Sequence, residues 1–178
     1  MAESILKTDE IRLLNNQVIM TDGTLSSNVQ FPAGHVVQVA SGRSASARYD
    51  TTNTAFHSIT SATDVATLTT KFANSKFFLS MTLSFQLNSF HQFIADFRRV
   101  VAGVTTQNIT GMDGGVTSQF GDGTQWKSIG CSHLDSPNLA AGTTVSYGLS
   151  GRVVGGTLYL NDWGANSFTN ITVMEVIV

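Results

Sequence analysis

The chain has 178 residues, a net charge of −2, 12% charged residues and a single cysteine, Cys131. So few charges leave no basic surface for nucleic acid, and one cysteine excludes an intrachain disulfide or a cysteine-built metal site. No run approaches the ~18 apolar residues of a membrane-spanning helix, and Met1 to Arg12 lacks the apolar stretch of a secretory signal, so synthesis in the cytoplasm is expected. With 42% apolar residues, 16 Gly and two Pro in a chain rich in Ser, Thr and β-branched residues, the composition predicts one all-β domain.

Residues 1–32 read as an extended N-terminal segment. Ile5, Ile11, Leu13, Val18, Ile19, Leu25, Val29 and Phe31 are scattered among polar residues, with turn signals at Asn15-Asn16 and Asp22-Gly23. That is too little apolar surface for a core, so the segment is expected to order on a partner or on its own symmetry mates. A first hairpin of the main domain is the alternative. Pro32-Ala-Gly34 marks the boundary, and 33–178 reads as an antiparallel β-sandwich.

Within it, strands are predicted at His35–Val39, Phe56–Ile59 and Val65–Phe72. The clearest is Lys76–Leu87: Phe77, Leu79, Met81, Leu83, Phe85 and Leu87 fall on one face at strict period two. Phe90–Val104 fits a helix through Phe90, Phe93, Ile94, Phe97, Val101 and Val104, and also alternates as a strand, which is the favoured reading. Gly103–Thr124 reads as loop. Trp126–His133 returns to strand, and Thr143–Leu149 with Val153–Leu160 suggests a hairpin turning at Ser150-Gly151-Arg152. The last strand, Ile171–Val178, has Ile171, Val173, Glu175 and Ile177 on one face and Met174, Val176 and Val178 on the other. Apolar on both sides, it is expected to pack one face on the core and one on neighbouring copies.

Candidate chemistry is sparse. The four histidines lack zinc-site spacing. Asp113 and Asp122 sit in glycine-rich loops without the ligand pattern of an EF-hand. There is no GxSxG elbow, Cys131 reads as a small buried hydrophobe, and Gly151-Arg-Val-Val-Gly-Gly156 lacks the Lys-Ser/Thr of a phosphate loop. Asp96, Asp113, Asp122, Asp135, Asp162 and Glu175 supply carboxylates but no glycosidase marker. The chain therefore reads as a non-enzyme with no cofactor and no metal. Trp126, Trp163 and Asp162 near predicted loops are the candidate ligand contacts.

Four motifs carry a resemblance: Pro32-Ala-Gly-His-Val-Val-Gln-Val39, Leu134-Asp-Ser-Pro137, Leu158-Tyr-Leu-Asn161 and Ile171-Thr-Val-Met-Glu175. In this order they resemble the C-terminal head of bacteriophage fibre and appendage proteins. The resemblance covers 32–178 and is weakest between 86 and 125. It implies a jelly-roll-like head, a homotrimer and a place in the virion. The fibre reading puts Val173, Glu175 and Ile177 at the trimer interface. Attachment to other virion proteins falls to the N-terminal segment, through Ile5, Ile11 and Leu13. The function implied is a tail fibre or receptor-binding appendage that contacts a host surface glycan or protein. A head fibre or capsid-decoration protein is the alternative within virions, and a carbohydrate-binding module is the alternative of another class. Neither nucleic acid nor membrane insertion is expected.

Overall fold

The computed structural model describes residues 10–12, 18–21, 24–25, 33–44, 49–59, 66–121, 123, 125–160 and 169–178. All its regular structure is β, and among the described residues no helix is long and apolar enough to cross a membrane. The chain divides into two compact units, 1–33 and 34–178. In the first, β1 (Glu10–Arg12), β2 (Val18–Thr21) and β3 (Thr24–Leu25) form a small antiparallel sheet in which Ile11 lies opposite Met20. Ile5 and Leu13 lie outside the described residues.

The second unit is a two-sheet sandwich. One sheet runs from β4 (Val36–Ser44) through β15 (Thr169–Val176) and β8 (Lys76–Leu87) to β12 (Lys127–Asp135). Its far end is extended by β14 (Leu158–Leu160), paired with both β8 and β5 (Tyr49–Thr51). The facing sheet has β9 (Gln92–Val101) and β13 (Thr144–Val154) at its centre. Here β10 (Val104–Thr106) and β11 (Thr117–Phe120) pair with β9, while β6 (His57–Ser58) and β7 (Ala66–Thr69) pair with β13. Counting β4/β5, β6/β7, β10/β11 and β14/β15 as single interrupted positions gives eight. They pair first with eighth, second with seventh, third with sixth and fourth with fifth, which is the nested winding of a jelly roll.

The core follows from the alternation in β8. All six of its inward side chains are at most 1% exposed, each contributing about 1.5–3 kcal/mol over leaving it in water. They meet Phe93, Ala95 and Phe97 of β9, Val145, Tyr147, Leu149 and Val153 of β13, and Ile171 and Val173 of β15. Phe77 tilts against Tyr147 at 5.5 Å and Phe85 against Phe93 at 5.2 Å.

The ambiguous segment is strand: β9 runs to Val101 and turns at Ala102-Gly103 into β10. Its alternation is hidden because Phe93 through Arg98 are buried on both faces. The predicted loop 103–124 contains β10 and β11, which leave β9 between Thr106 and Thr117.

The expected hairpin at Ser150-Gly151-Arg152 is corrected. Strand β13 passes straight through it, pairing with β9 from Val145 to Val154. Gly151 is there for close packing, since a Cβ would lie 2.7 Å from the Phe93 ring. The turn falls later, at Gly155 and Gly156, both with positive φ.

Candidate functional site

The sheet containing the final strand has one face in the core and one facing away from the sandwich, and register decides which residues share the outer one. Met174 lies opposite Val39 on one side and Phe78 on the other, and Phe78 lies opposite Leu134. These four form an apolar row across all four strands: Val39 is 59% exposed, Leu134 49% and Phe78 38%. Val176, opposite Val36, extends the row towards one end of the sheet. The next rows are Ser41, Thr172, Ser80 and Ser132, then Arg43, Asn170, Thr82 and Gly130. On these four strands the outward positions carry no carboxylate, and the cations Lys76 and Arg43 lie at opposite ends.

The same register corrects the assignment of Val173 and Glu175 to a contact between copies. Both are 0% exposed within one chain and point into the sandwich, so neither side chain has surface to offer a neighbour. Glu175 is held there because its carboxylate accepts the backbone N–H groups of Lys71 (2.9 Å) and Phe72 (3.1 Å) and the amide of Gln38. Gln38 also donates to the carbonyl of Thr69 at 2.7 Å. Charge-assisted hydrogen bonds of this kind compensate the burial of a carboxylate. They stitch the end of β15 to the link that carries the chain between the sheets. Ile177 is half-buried, and its backbone pairs with His35 and Gly34.

The Leu-Asp-Ser-Pro motif has an equally internal role. Asp135 accepts two bonds from Arg99 Nη1, at 2.8 and 2.7 Å, and one from the Tyr147 hydroxyl at 2.8 Å. Asp135 closes one sheet, and Arg99 and Tyr147 belong to the other. Burial, followed by the charge of Asp135, pushes the Tyr147 hydroxyl far up, so it stays a donor.

Asp96 is also buried, where β10 and β11 leave β9. Its carboxylate accepts the N–H of Phe97 and the hydroxyl of Thr110. Desolvation raises its pKa above the usual 3.8, outweighing those two bonds and the charge of His133. The folded protein therefore holds this proton more tightly than the unfolded chain. Its contribution to stability declines as pH rises from 3.8 through the raised folded value. Asp96→Asn keeps an acceptor for Phe97 and removes the charge. The variant is expected to melt at the same or a higher temperature at pH 7, with a flatter melting profile between pH 4 and 7. A lower melting temperature at pH 7 with an unchanged profile would contradict this account.

Cys131 lies against the core, and burial with the nearby charge of Asp96 pushes its thiol up to about 12, far from a thiolate at neutral pH. Among the described residues no group of three His, Cys, Asp or Glu is placed to hold a metal ion. Trp126 is half-buried immediately before β12, and Asp162 and Trp163 lie outside the described residues.

No protein-family model matches the chain, and no curated protein matches it. Among solved structures, the chain is similar to the Eiger TNF of S. frugiperda, with 13% identity and a TM-score of 0.41, covering 80% of this chain and 94% of that one. It is also similar to a chain of infectious bursal disease virus, Gx strain, with 11% identity and a TM-score of 0.41; the match covers 94% of this chain and 41% of the viral one. At these values neither likeness bears on what the protein does.

Proposed function

We propose that this protein is a structural component of a bacteriophage particle, a tail fibre or receptor-binding appendage whose jelly-roll head associates as a homotrimer. The observation that carries the reading is the outward face of the β4–β15–β8–β12 sheet. Its apolar row crosses all four strands, the row on one side of it is uncharged and the outer face holds no carboxylate, so it can be covered by another copy with few charges to desolvate. The four motifs shared with phage fibre heads support the same reading. Leu134, Val39 and Met174 lie within or beside three of them. In this reading residues 1–32 attach the head to other virion proteins, and the end of the sandwich away from the apolar row faces the host.

Imaging of the particle with antibody against residues 33–178 tests this. Label at the tail is the expected result. Label over the capsid would make the protein a head fibre or decoration protein. Absence of label from intact particles would overturn a virion role altogether.

A further inference from the structure

At the opposite end of β8 from the apolar row, two phenylalanines project into solvent. Phe90, in the 88–91 link between β8 and β9, is 74% exposed, and Phe120, at the end of β11, is 52% exposed. Their rings stack with centroids 5.5 Å apart and planes 15° from parallel. Phe120 lies opposite Gln92, and Gln92 lies opposite Val154, itself 48% exposed.

This pair is held on a rigid mount. Asn88 exchanges two bonds with Thr157, its N–H reaching the Thr157 carbonyl at 3.0 Å and its Oδ1 accepting from the Thr157 N–H at 2.9 Å. The N–H of Gly121 donates to the carbonyl of His91 at 2.9 Å. Glycines close around the link: a Cβ at Gly156 would lie 2.3 Å from the His91 ring, one at Gly121 2.6 Å from Leu87, and one at Gly123 2.9 Å from the Asn88 carbonyl. Close backbone approach of this kind needs glycine, and a fixed mount is what a binding constellation needs.

The size and rim of the patch select its occupant. Two rings and a valine fall well short of the ~800 Å² per partner of a stable protein interface. Around them stand hydroxyl and amide groups: Ser89, and Gln92 donating to the hydroxyl of Ser118. The two nearby cations each donate to a backbone carbonyl, one of them to that of Phe120 itself. Lys127 Nζ donates to the Phe120 carbonyl at 2.9 Å, and Arg152 donates to the Asp113 carbonyl at 2.8 Å while lying over Phe56. A pyranose ring presents a face of C–H bonds to an aromatic ring and hydroxyls at its edge to amides and hydroxyls, which matches this arrangement. We infer that Phe90 and Phe120 form a platform that binds a sugar ring of a surface saccharide. The inference rests on reading the head as an adhesive appendage and names the chemistry of what it grips.

Saturation-transfer NMR on the full chain, with a panel of neutral hexose and N-acetylhexosamine oligosaccharides, tests it. At least one oligosaccharide is expected to receive saturation at its ring protons. Binding should weaken at least tenfold in Phe90→Ala and in Phe120→Ala, and stay unchanged in Val104→Ser at the other end of the sandwich. Both phenylalanines are exposed, so the variants should fold, which circular dichroism checks. No transfer to any panel member, or equal affinity in the variants, would overturn the proposal. So would a fall in particle mass in Phe90→Ala, which would make the rings a contact between copies. Any of these alongside tail label on the particle would leave the structural reading standing.

Discussion

Phe78→Asp and Met174→Asp are each expected to release single folded chains from the proposed homotrimer. Both side chains point away from the sandwich at the centre of the apolar row. Phe78 is 38% exposed in the lone chain, so an aspartate there costs the fold about 1 kcal/mol or less of strand preference. In the proposed trimer the same carboxylate would be buried among apolar side chains of a neighbouring copy, a cost of several kcal/mol. A penalty of ~4 kcal/mol weakens association about a thousandfold. Light scattering coupled to gel filtration should show mass falling from three chains to one, with the melting transition retained. If both variants keep the parent's mass, the row is not where copies meet.

The second large effect is internal. Asp135→Ala removes the shared acceptor of Arg99 and Tyr147 and leaves a guanidinium and a hydroxyl facing each other between the sheets. Breaking a buried ion pair from one side costs about 3–5 kcal/mol, which for a chain of this size lowers the melting temperature by roughly 6–20 °C. Tyr147→Phe loses one charge-assisted bond and should cost only about 1.5–3 kcal/mol. Denaturant titration of both variants measures the two costs. An Asp135→Ala loss no greater than that of Tyr147→Phe would mean that Arg99 finds another partner, and the network would not hold the sheets together.

How much of this was legible in the sequence depended on burial. Strand β8 was readable to its ends because one face is core and the other is outer surface, so polarity alternates with the pleat. Strand β9 was not, because residues buried on both faces erase that alternation and leave spacings that fit either period. Gly151 looked like a turn because composition cannot separate a glycine that bends the chain from one that admits the Phe93 ring. The two faces of the last strand were sorted correctly, but period two does not say which face is inside. The resemblance to fibre heads placed Glu175 between copies, and the backbone donors of Lys71 and Phe72 that hold it inside one chain lie more than a hundred residues away. The Leu134–Pro137 motif stood out in the sequence, while the partners of Asp135 on β9 and β13 did not. Phe90 and Phe120 were passed over because nothing in the sequence brings them together; the pairing of β11 with β9 does.

The nested winding also sets an order of events. The pair β4–β15 joins the two ends of the head, whereas β9–β10 closes over a two-residue turn. Closing a longer loop loses more chain entropy, so the outermost pair is expected to zip last. Val39 and Met174 come from that pair, and Phe78 and Leu134 from the strands inside it. The sticky row is thus unfinished until the rest of the sandwich has formed. Partly folded chains have no complete patch with which to capture one another, so the proposed association through this row would be open to finished domains alone.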